Sequence, residues 1–346
     1  MRKWDERAHL RAKEKWDAVA KPLSSLGRLE RAISQIAGIQ GTEDIRLKPR
    51  CVLVFCSDHG VVAQGVTQSD SSVTALVAKT VCEGTSNVNL MARAADADVF
   101  AIDMGMAEDV HDPRLIVKKR AHGTRDITFF PAMAREDALF AINCGRALVG
   151  EMRDRGYRLI ATGEMGIGNT TSAAAIACAL LGEEPEDMAG RGSGLSDEGL
   201  RRKIRAIQTA LTLHAPEKGD PVGILAKLGG FEIAGMVGAF LGGMEYGVPT
   251  VADGVISCVS ALLAQRIRPE CKDFMLASHM SREPAARKIM DALNLAPVID
   301  AEMALGEGTG AVMLFPLLDM AYAVYSGAHT FSGIGLDAYT PQGGAK

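Results

Sequence analysis

The chain has 346 residues, a formal charge of −4 and 47% hydrophobic residues. This composition excludes a disordered chain, because enough apolar surface is present to bury a large core. The absence of basic blocks argues against a dedicated nucleic-acid binder. Glycine is in excess, at 37 residues, which indicates many tight turns or places where a ligand approaches the backbone.

The sequence also predicts where the protein is found. Its seven cysteines form no CxxC pair, which favours reduced, buried thiols over a disulfide framework. The N-terminus is highly charged and has no apolar leader segment. The most apolar window, 231–244, is too short to span a bilayer. We therefore expect a soluble cytoplasmic protein without a membrane or nucleic-acid partner.

The first 40 residues have helical periodicity. Leu26, Leu29, Ile33 and Ile36 follow a spacing that places them on one helical face. Together with a C-terminal helix after Pro316, this segment is predicted to form a small helical domain, residues 1–40 plus about 317–346. Residues 41–316 are predicted to form a large α/β catalytic domain.

From residue 51 onward, short apolar runs alternate with helical stretches, and each run ends in polar or glycine residues. Such runs are typical of a parallel sheet covered by helices on both faces, so we predict a mainly parallel, doubly wound (Rossmann-like) sheet with a smaller helical domain. Ligands bind such sheets at the carboxyl ends of strands. Singly, each polar residue there is better explained as a helix cap or turn residue, but together they suggest a shared site. The predicted strands are 51–56, 99–102, 157–161, 248–252 and 272–277, and their ends carry Asp58, His59, Asp103, Glu164, Asp253 and His279.

Three glycine clusters open predicted helices. The first, 163–171 (GEMGIGNTT), matches neither GxxxxGK[ST] nor GxGxxG, and is either an anion-binding turn or simply a tight turn. The second, 190–194, precedes a helix in which Lys203 either reaches an anion or is solvated. The third, 305–311, carries Glu307 between glycines. This glutamate is either an ordinary acid at a helix start or a partly desolvated carboxylate that accepts a proton readily.

Metal chemistry is not predicted. The seven histidines never pair at i+3 or i+4, and no Cys/His cluster appears. The missing GxGxxG fingerprint argues against a second candidate function, that of a nucleotide-dependent oxidoreductase.

Five motifs occur in order: KPLSSLGRLE (21–30), DHGVV (58–62), GEMGIGNTT (163–171), KLGGF (227–231) and LGEGTG (305–310). Over about residues 20–325 the chain resembles the nicotinate-nucleotide–dimethylbenzimidazole phosphoribosyltransferase family, which activates the lower ligand of cobamides. The resemblance implies transfer of 5-phosphoribosyl from nicotinate mononucleotide to a lower-ligand base, giving an α-riboside 5′-phosphate and nicotinate without a cofactor. It also implies a homodimer, or a heterodimer with a paralogous chain.

The resemblance assigns roles to particular residues. Glu307 corresponds to the general base of the family, and Glu164 to a second carboxylate that stabilises the ribosyl cation. The residues implied for the phosphate and ribose of the nucleotide are Gly166, Gly168, Asn169, Thr170, Thr171, Gly192, Ser193, Gly194, Lys203, Ser278, Gly308 and Thr309.

The implied acceptor pocket departs from the family pattern. Benzimidazole-using members carry Ser-Pro followed seven residues later by Gln, whereas this chain has Ser69-Asp70 and then Val77. A valine cannot replace the hydrogen bonds of a glutamine. Met165 stands where leucine is usual, and Leu305 completes the implied pocket. The acceptor is therefore either a benzimidazole or a phenol, as in a branch of the family that pairs two paralogous chains. If the protein forms such a heterodimer, this chain is either its catalytic subunit or a non-catalytic partner subunit.

Overall fold

Six strands and thirteen α-helices lie within residues 3–340, the part of the chain that the computed structural model describes. The strands are β1 (Arg50–Ser57), β2 (Asp98–Gly105), β3 (Ile116–Val117), β4 (Leu159–Met165), β5 (Thr250–Ala252) and β6 (Met275–Ala277). The helices are α1 (Glu6–Ala18), α2 (Arg28–Gln40), α3 (Ser72–Glu83), α4 (Asn87–Ala94), α5 (Arg135–Asp154), α6 (Asn169–Leu181), α7 (Pro185–Met188), α8 (Asp197–His214), α9 (Pro221–Leu228), α10 (Phe231–Tyr246), α11 (Val255–Ile267), α12 (Ala285–Leu293) and α13 (Thr309–Gly327).

The strands form one parallel sheet in the order β3-β2-β1-β4-β5-β6. The central pair, β1 and β4, is in register from Arg50 opposite Leu159 to Cys56 opposite Met165. The strand order reverses between these two strands, so their carboxyl ends border the crevice in which doubly wound sheets bind ligands. The predicted α/β class and parallel sheet are confirmed.

Alternate side chains of β1 enter two different cores, as the two-residue period of a strand requires. Leu53 and Phe55 pack on one face with residues of α5, α6, α10 and α11. Val52 and Val54 pack on the other face with residues of α1 to α4 and α13. Helices cover both faces, which explains why β1 is buried along its whole length and apolar from Cys51 to Cys56.

Helix α10 is a core helix, as its run of small and apolar residues predicts. It is buried from Phe231 to Met244. Its glycines let α5 approach closely, because a Cβ atom at Gly238 would collide with the carbonyl oxygen of Ile142 on α5.

Several predicted boundaries are wrong. Residues 269–274 form a 3₁₀ helix, so the last strand begins at Met275 and not at 272. The edge strand β3 has only two residues, too few to give a sequence pattern. Pro316 lies inside α13 and does not precede it, because burial of apolar side chains on both sides, such as Phe315 and Leu318, outweighs the one hydrogen bond that proline removes.

Helix α13 is also long and apolar enough, by length and composition alone, to cross a membrane. It is the one such helix in the described chain. Its buried residues, such as Leu314 and Leu318, pack in the core that α1 and α2 share with the sheet, and this packing accounts for its apolar composition. The division into a small helical domain and a large α/β domain stays a prediction.

Candidate active site

A cavity of about 240 Å³ opens at the carboxyl ends of β4, β5 and β6. Glu164, Asp253 and His279, from three of the predicted strand ends, line it. The side chains of Asp58 and Asp103 do not; they hold loop backbone, accepting hydrogen bonds from the N–H groups of Ala107 and Met106. Three of the six strand-end residues that were predicted to share a site therefore line one cavity. The cavity is also lined by Val66, Thr67, Met165, Gly166, Ile167, Gly168, Asn169, Thr170, Arg191, Gly192, Ser193, Leu195, Gly254, Val255, Ile256, Ser257, Ser281, Glu283, Ala304, Leu305, Gly306 and Glu307.

Glu307 has an unusual backbone conformation at the start of α13. Gly306, Glu307 and Gly308 have φ angles of 89°, 61° and 91°, a region that glycine tolerates and glutamate rarely adopts. Such strain persists where the surrounding structure imposes it. The carboxylate of Glu307 accepts hydrogen bonds from Asn87 Nδ2 and the Val88 backbone N–H, each at 3.1 Å. Both donors belong to the N-terminus of α4, which favours a negative charge.

Asp253, at the end of β5, fixes the turn around Glu307 from behind. Its carboxylate accepts hydrogen bonds from the N–H groups of Gly308 at 3.2 Å and Ala311 at 3.0 Å. Burial raises the pKa of Asp253 above its usual value, opposed by His279, whose Nδ1 lies 4.0 Å away. The position of Glu307 is thus set both by its own carboxylate and by the backbone that follows it.

Glu164 ends β4 and faces the same cavity. A Cβ atom at Gly306 would come within 2.8 Å of its Oε1, so the two carboxylates flank one turn. Its Oε2 accepts a hydrogen bond from Asn169 Nδ2. Burial, together with neighbouring carboxylates, raises the pKa of Glu164 to about 8 despite this hydrogen bond. Without a bound cation, Glu164 is therefore mainly protonated at neutral pH.

Lys203 connects the first two glycine clusters. It is fully buried on α8, and its Nζ donates to Thr170 Oγ1 at 2.8 Å and to the Gly190 carbonyl oxygen at 2.9 Å. Burial lowers the pKa of Lys203 to about 8, opposed by the negative charge of Glu283. The sequence left open whether this lysine is solvated; the structure shows that it lies behind Thr170, which lines the cavity.

The turn between β4 and α6 requires glycine. Gly168 has a φ of 94°, and a Cβ atom there would lie 2.9 Å from Val62 Cγ2 and 3.1 Å from His59 Cβ. The turn leads directly into Asn169 and Thr170, the first residues of α6. The N–H groups of Asn169 and Thr171 donate to the carbonyl oxygens of Gly166 and Gly168, at 3.1 and 3.0 Å, so the positive end of the helix dipole is what favours an anion at this turn.

Of the twelve residues predicted for the nucleotide, six line the cavity and six do not. Ser278 is one that does not, and its hydroxyl donates to the Ala252 carbonyl oxygen at 2.7 Å. The neighbouring His279, which had no assigned role, lines the cavity instead. Gly166, Gly168, Asn169, Thr170, Gly192 and Ser193 line the cavity, whereas Thr171, Gly194, Lys203, Ser278, Gly308 and Thr309 lie outside the lining set.

The residues predicted for the acceptor also divide. Met165 and Leu305 line the cavity, and Leu305 is exposed at its edge. Ser69, Asp70 and Val77 do not line it. Val77, on α3, packs against the core that contains α1 and α2. The cavity wall near Met165 is otherwise largely apolar, with Val66, Leu195, Val255 and Ile256.

No group of three or more His, Cys, Asp or Glu side chains that could hold a metal ion occurs between residues 3 and 340.

Comparisons with known proteins identify the family. A family model described as phosphoribosyltransferase matches residues 1–335. The nicotinate-nucleotide–dimethylbenzimidazole phosphoribosyltransferase of Ruminiclostridium cellulolyticum is 41% identical over 331 residues, which cover 96% of this chain and 94% of that protein. The chain belongs to the nicotinate-nucleotide–dimethylbenzimidazole phosphoribosyltransferase family. The phosphoribosyltransferase of the same name from Chloroflexus aggregans is 41% identical over 333 residues, covering 96% and 94%.

A solved structure of the phosphoribosyltransferase family supports the fold independently. CobT from Thermus thermophilus matches with a TM-score of 0.91 and 39% identity, covering 96% of this chain and 99% of that one. The resemblance inferred from the five motifs is confirmed, and the match extends beyond residues 20–325.

Sequence reasoning missed the partners of Glu307 in this phosphoribosyltransferase. Asn87 and Val88 open α4, and Ser86, whose hydroxyl accepts from the Asn89 N–H at 3.4 Å, caps it. A serine before an apolar run signals a helix start. It does not reveal that a carboxylate more than 200 residues later lies at that start.

Proposed function

We propose that this chain transfers the 5-phosphoribosyl group of nicotinate mononucleotide to an aromatic lower-ligand base of cobamides. The acceptor's nitrogen or oxygen forms a bond to C1′ of the ribose while the bond from C1′ to the pyridinium nitrogen breaks. The electron pair of the broken bond returns to the ring, which leaves as nicotinate, and the acceptor's proton passes to the protein. The products are an α-riboside 5′-phosphate and nicotinate, with inversion at C1′.

The observation that carries this proposal is the pair of carboxylates, Glu164 and Glu307, that face one cavity beside the starts of α6 and α13. Glu307 is the proposed general base. Its two hydrogen bonds occupy only part of the accepting capacity of a carboxylate, so an acceptor N–H or O–H can still donate to it. The strained turn and the α4 donors hold it in place before substrate binds.

Glu164 is the proposed stabiliser of the ribosyl cation. Positive charge on the donor moves from the pyridinium ring towards the ribose as the bond breaks, and a nearby carboxylate stabilises it most strongly in a site without water. The pKa of Glu164 is about 8, but a bound pyridinium cation favours the ionised form. Donor binding therefore converts this group into the form that the reaction needs.

The phosphate of the donor is proposed to bind between the glycine turn before α6 and the loop containing Gly192. The positive end of the α6 dipole favours an anion there. Lys203 supplies a positive charge directly behind Thr170. Among the described residues, no carboxylate lies within hydrogen-bond distance of Lys203 Nζ. The positive charge of Lys203 therefore remains available to the phosphate.

The acceptor is proposed to lie against the apolar wall around Met165 and Leu305. The alternative to a benzimidazole is a phenolic acceptor, which rests on the sequence departures at Asp70 and Val77 alone, because neither residue lines the cavity. A phenol, with a pKa of about 10, attacks through the oxygen that carries its proton, so Glu307 must take that proton as the bond to C1′ forms. Turnover of dimethylbenzimidazole, phenol and p-cresol measured in parallel decides between them; a strong preference for the benzimidazole would exclude the phenolic proposal.

The chain is also proposed to act as a dimer. Leu90 on α4 and Met320 on α13 are 55% and 60% exposed, and these two helices pack against each other. They provide apolar surface that a partner chain could cover. Light scattering of the purified chain, alone and with a paralogous chain, distinguishes a homodimer from a heterodimer; a monomer in both samples would contradict the proposal.

The test of the function is direct. Purified protein is incubated with nicotinate mononucleotide and each acceptor, and the products are separated by liquid chromatography and identified by mass. The proposal predicts nicotinate and an α-riboside 5′-phosphate in equal amounts. Nicotinate release that is independent of acceptor, or no release at all, would contradict it.

A further inference from the structure

Two of the family motifs meet at a place that does not line the cavity. His59 belongs to the DHGVV motif, and Glu232 directly follows KLGGF. His59 Nε2 lies 2.7 Å from Glu232 Oε1, and both side chains are completely buried. Neither the proposed general base nor the proposed phosphate site includes this pair, so its burial needs a separate explanation.

Stability alone is a poor reason. Moving a carboxylate out of water costs more than a single hydrogen bond returns, and apolar replacements of buried ion pairs are often neutral or stabilising. Glu232 is especially costly, because its Oε2 has no hydrogen-bond partner among residues 3–340. A buried pair with these properties suggests a role in positioning a neighbouring element of the fold.

The other ring nitrogen of His59 reaches the phosphate-binding helix. His59 Nδ1 lies 2.9 Å from the hydroxyl of Ser172, the fourth residue of α6. The glycine turn before α6 also contacts the pair, since a Cβ atom at Gly166 would lie 3.4 Å from Glu232 Oε1. The pair therefore packs against the first turn of α6 and the glycine turn, on the side away from the cavity lining.

Asp58, the neighbour of His59, supports the same turn through a second route. Its Oδ1 accepts from the Thr74 hydroxyl at 2.6 Å, and the Thr74 oxygen accepts from the Ile167 N–H at 3.2 Å. Ile167 lies between the two glycines of the turn. Consecutive residues of one motif thus hold the turn and the helix that follows it.

We propose that His59 and Glu232 are positioning residues for the phosphoribosyl donor. Glu232 fixes the orientation of the His59 ring, and His59 holds Ser172 and with it the first turn of α6, whose positive dipole end is the proposed phosphate site. This inference rests on the proposed function, because it assumes that the turn binds the phosphate of nicotinate mononucleotide. It assigns to two motifs of the sequence a role away from the reacting atoms.

The sharpest test replaces Ser172→Ala, which removes one hydroxyl and leaves the histidine and glutamate in place. The matched control is Ser260→Ala, an equally buried serine on α11 whose hydroxyl donates only to the Ile256 carbonyl oxygen, at 3.0 Å. Calorimetry gives the Kd of nicotinate mononucleotide, and steady-state kinetics give KM for donor and acceptor separately. Because this hydrogen bond does not contact the donor, its loss weakens binding only by displacing the turn, so we expect a donor Kd for Ser172→Ala raised by about threefold to tenfold, the full worth of the bond being the upper bound. The acceptor KM should stay within about twofold of the wild type.

A double-mutant cycle with His59→Gln separates positioning from general destabilisation. Glutamine can still donate to Glu232 but does not reach Ser172, so adding Ser172→Ala to it should weaken donor binding little further. If Ser172→Ala matches Ser260→Ala in donor Kd, or raises donor and acceptor KM equally, the inference is wrong even where His59→Gln does not fold. If the wild type itself binds no nicotinate mononucleotide, the proposed function fails first and the inference with it.

Discussion

Replacing Lys203 by methionine is predicted to make the protein more stable and less able to bind its donor. Methionine is apolar and of similar length, so it fills the same space without burying a charge. The fall in the pKa of Lys203 from 10.5 to about 8 corresponds to about 3 kcal/mol at neutral pH, the cost of burying the ammonium group. In the variant, Thr170 Oγ1 and the Gly190 carbonyl oxygen lose their hydrogen-bond donor, which lowers the free energy of unfolding by ~1–2 kcal/mol and offsets part of the gain. The free energy of unfolding should rise by about 1–2 kcal/mol.

The pH dependence gives this prediction a sign that can be checked. Between about pH 8 and pH 10.5 the unfolded chain holds the Lys203 proton and the native protein does not, so the stability of the wild type increases with pH in this window. The variant lacks this increase. Its advantage should therefore shrink by about 2 kcal/mol between pH 7 and pH 9.5.

Equilibrium urea unfolding at the two pH values measures both effects, and an unchanged slope shows that the transition itself is comparable. Lys79→Met, at an exposed lysine on α3, is the control and should change neither. Donor Kd should rise at least tenfold in Lys203→Met only, because a charge-assisted contact is lost. A variant that is less stable than wild type at pH 7, with no change in donor Kd, would refute the reasoning.

Three further predictions concern the two carboxylates and the glycine turn that holds Glu307. Because Glu164 is mainly protonated in the free enzyme, with a pKa of about 8, donor binding at pH 7 should release a proton; calorimetry in buffers of different ionisation enthalpy should detect it in wild type and not in Glu164→Gln. Asn87→Ala removes one of two donors to Glu307 and should lower kcat about fivefold to tenfold, whereas an unchanged kcat would contradict the role of α4. Gly308→Ala forces alanine to a φ of 91° and within 2.7 Å of a Val52 methyl group, so thermal unfolding should show a loss of about 1–3 kcal/mol, which Gly327→Ala, in open space, should not.

Local patterns predict the parts of this fold that depend on local physics. Apolar runs ending in polar residues identify β1 and β4 because buried parallel strands need such runs. The glycine clusters predict helix starts because glycine tolerates the turns that lead into them. The strand ends also bring Glu164 and Asp253 to one cavity, as parallel topology requires.

Long-range partners are not visible in local patterns. The contact of Glu307 with Asn87 joins residues 220 positions apart in the chain, and no spacing rule connects them. The burial of Lys203 depends on α8 packing over two glycine loops, and its arginine-rich neighbourhood in the sequence suggested a solvated position equally well. The positive φ of Glu307 follows from the fit of three elements around it, for which glutamate itself gives no signal.

The most direct test of the account is the activity of Glu307→Gln beside that of Glu302→Gln. Glutamine keeps the shape and cannot take a proton, and Glu302 is an exposed glutamate of the same segment. With nicotinate mononucleotide and the preferred acceptor, kcat for nicotinate release should fall by about 10²–10⁴ in Glu307→Gln, with donor Kd within a few-fold of wild type, and should be unchanged in Glu302→Gln. Undiminished nicotinate release by Glu307→Gln would contradict the assignment of the general base.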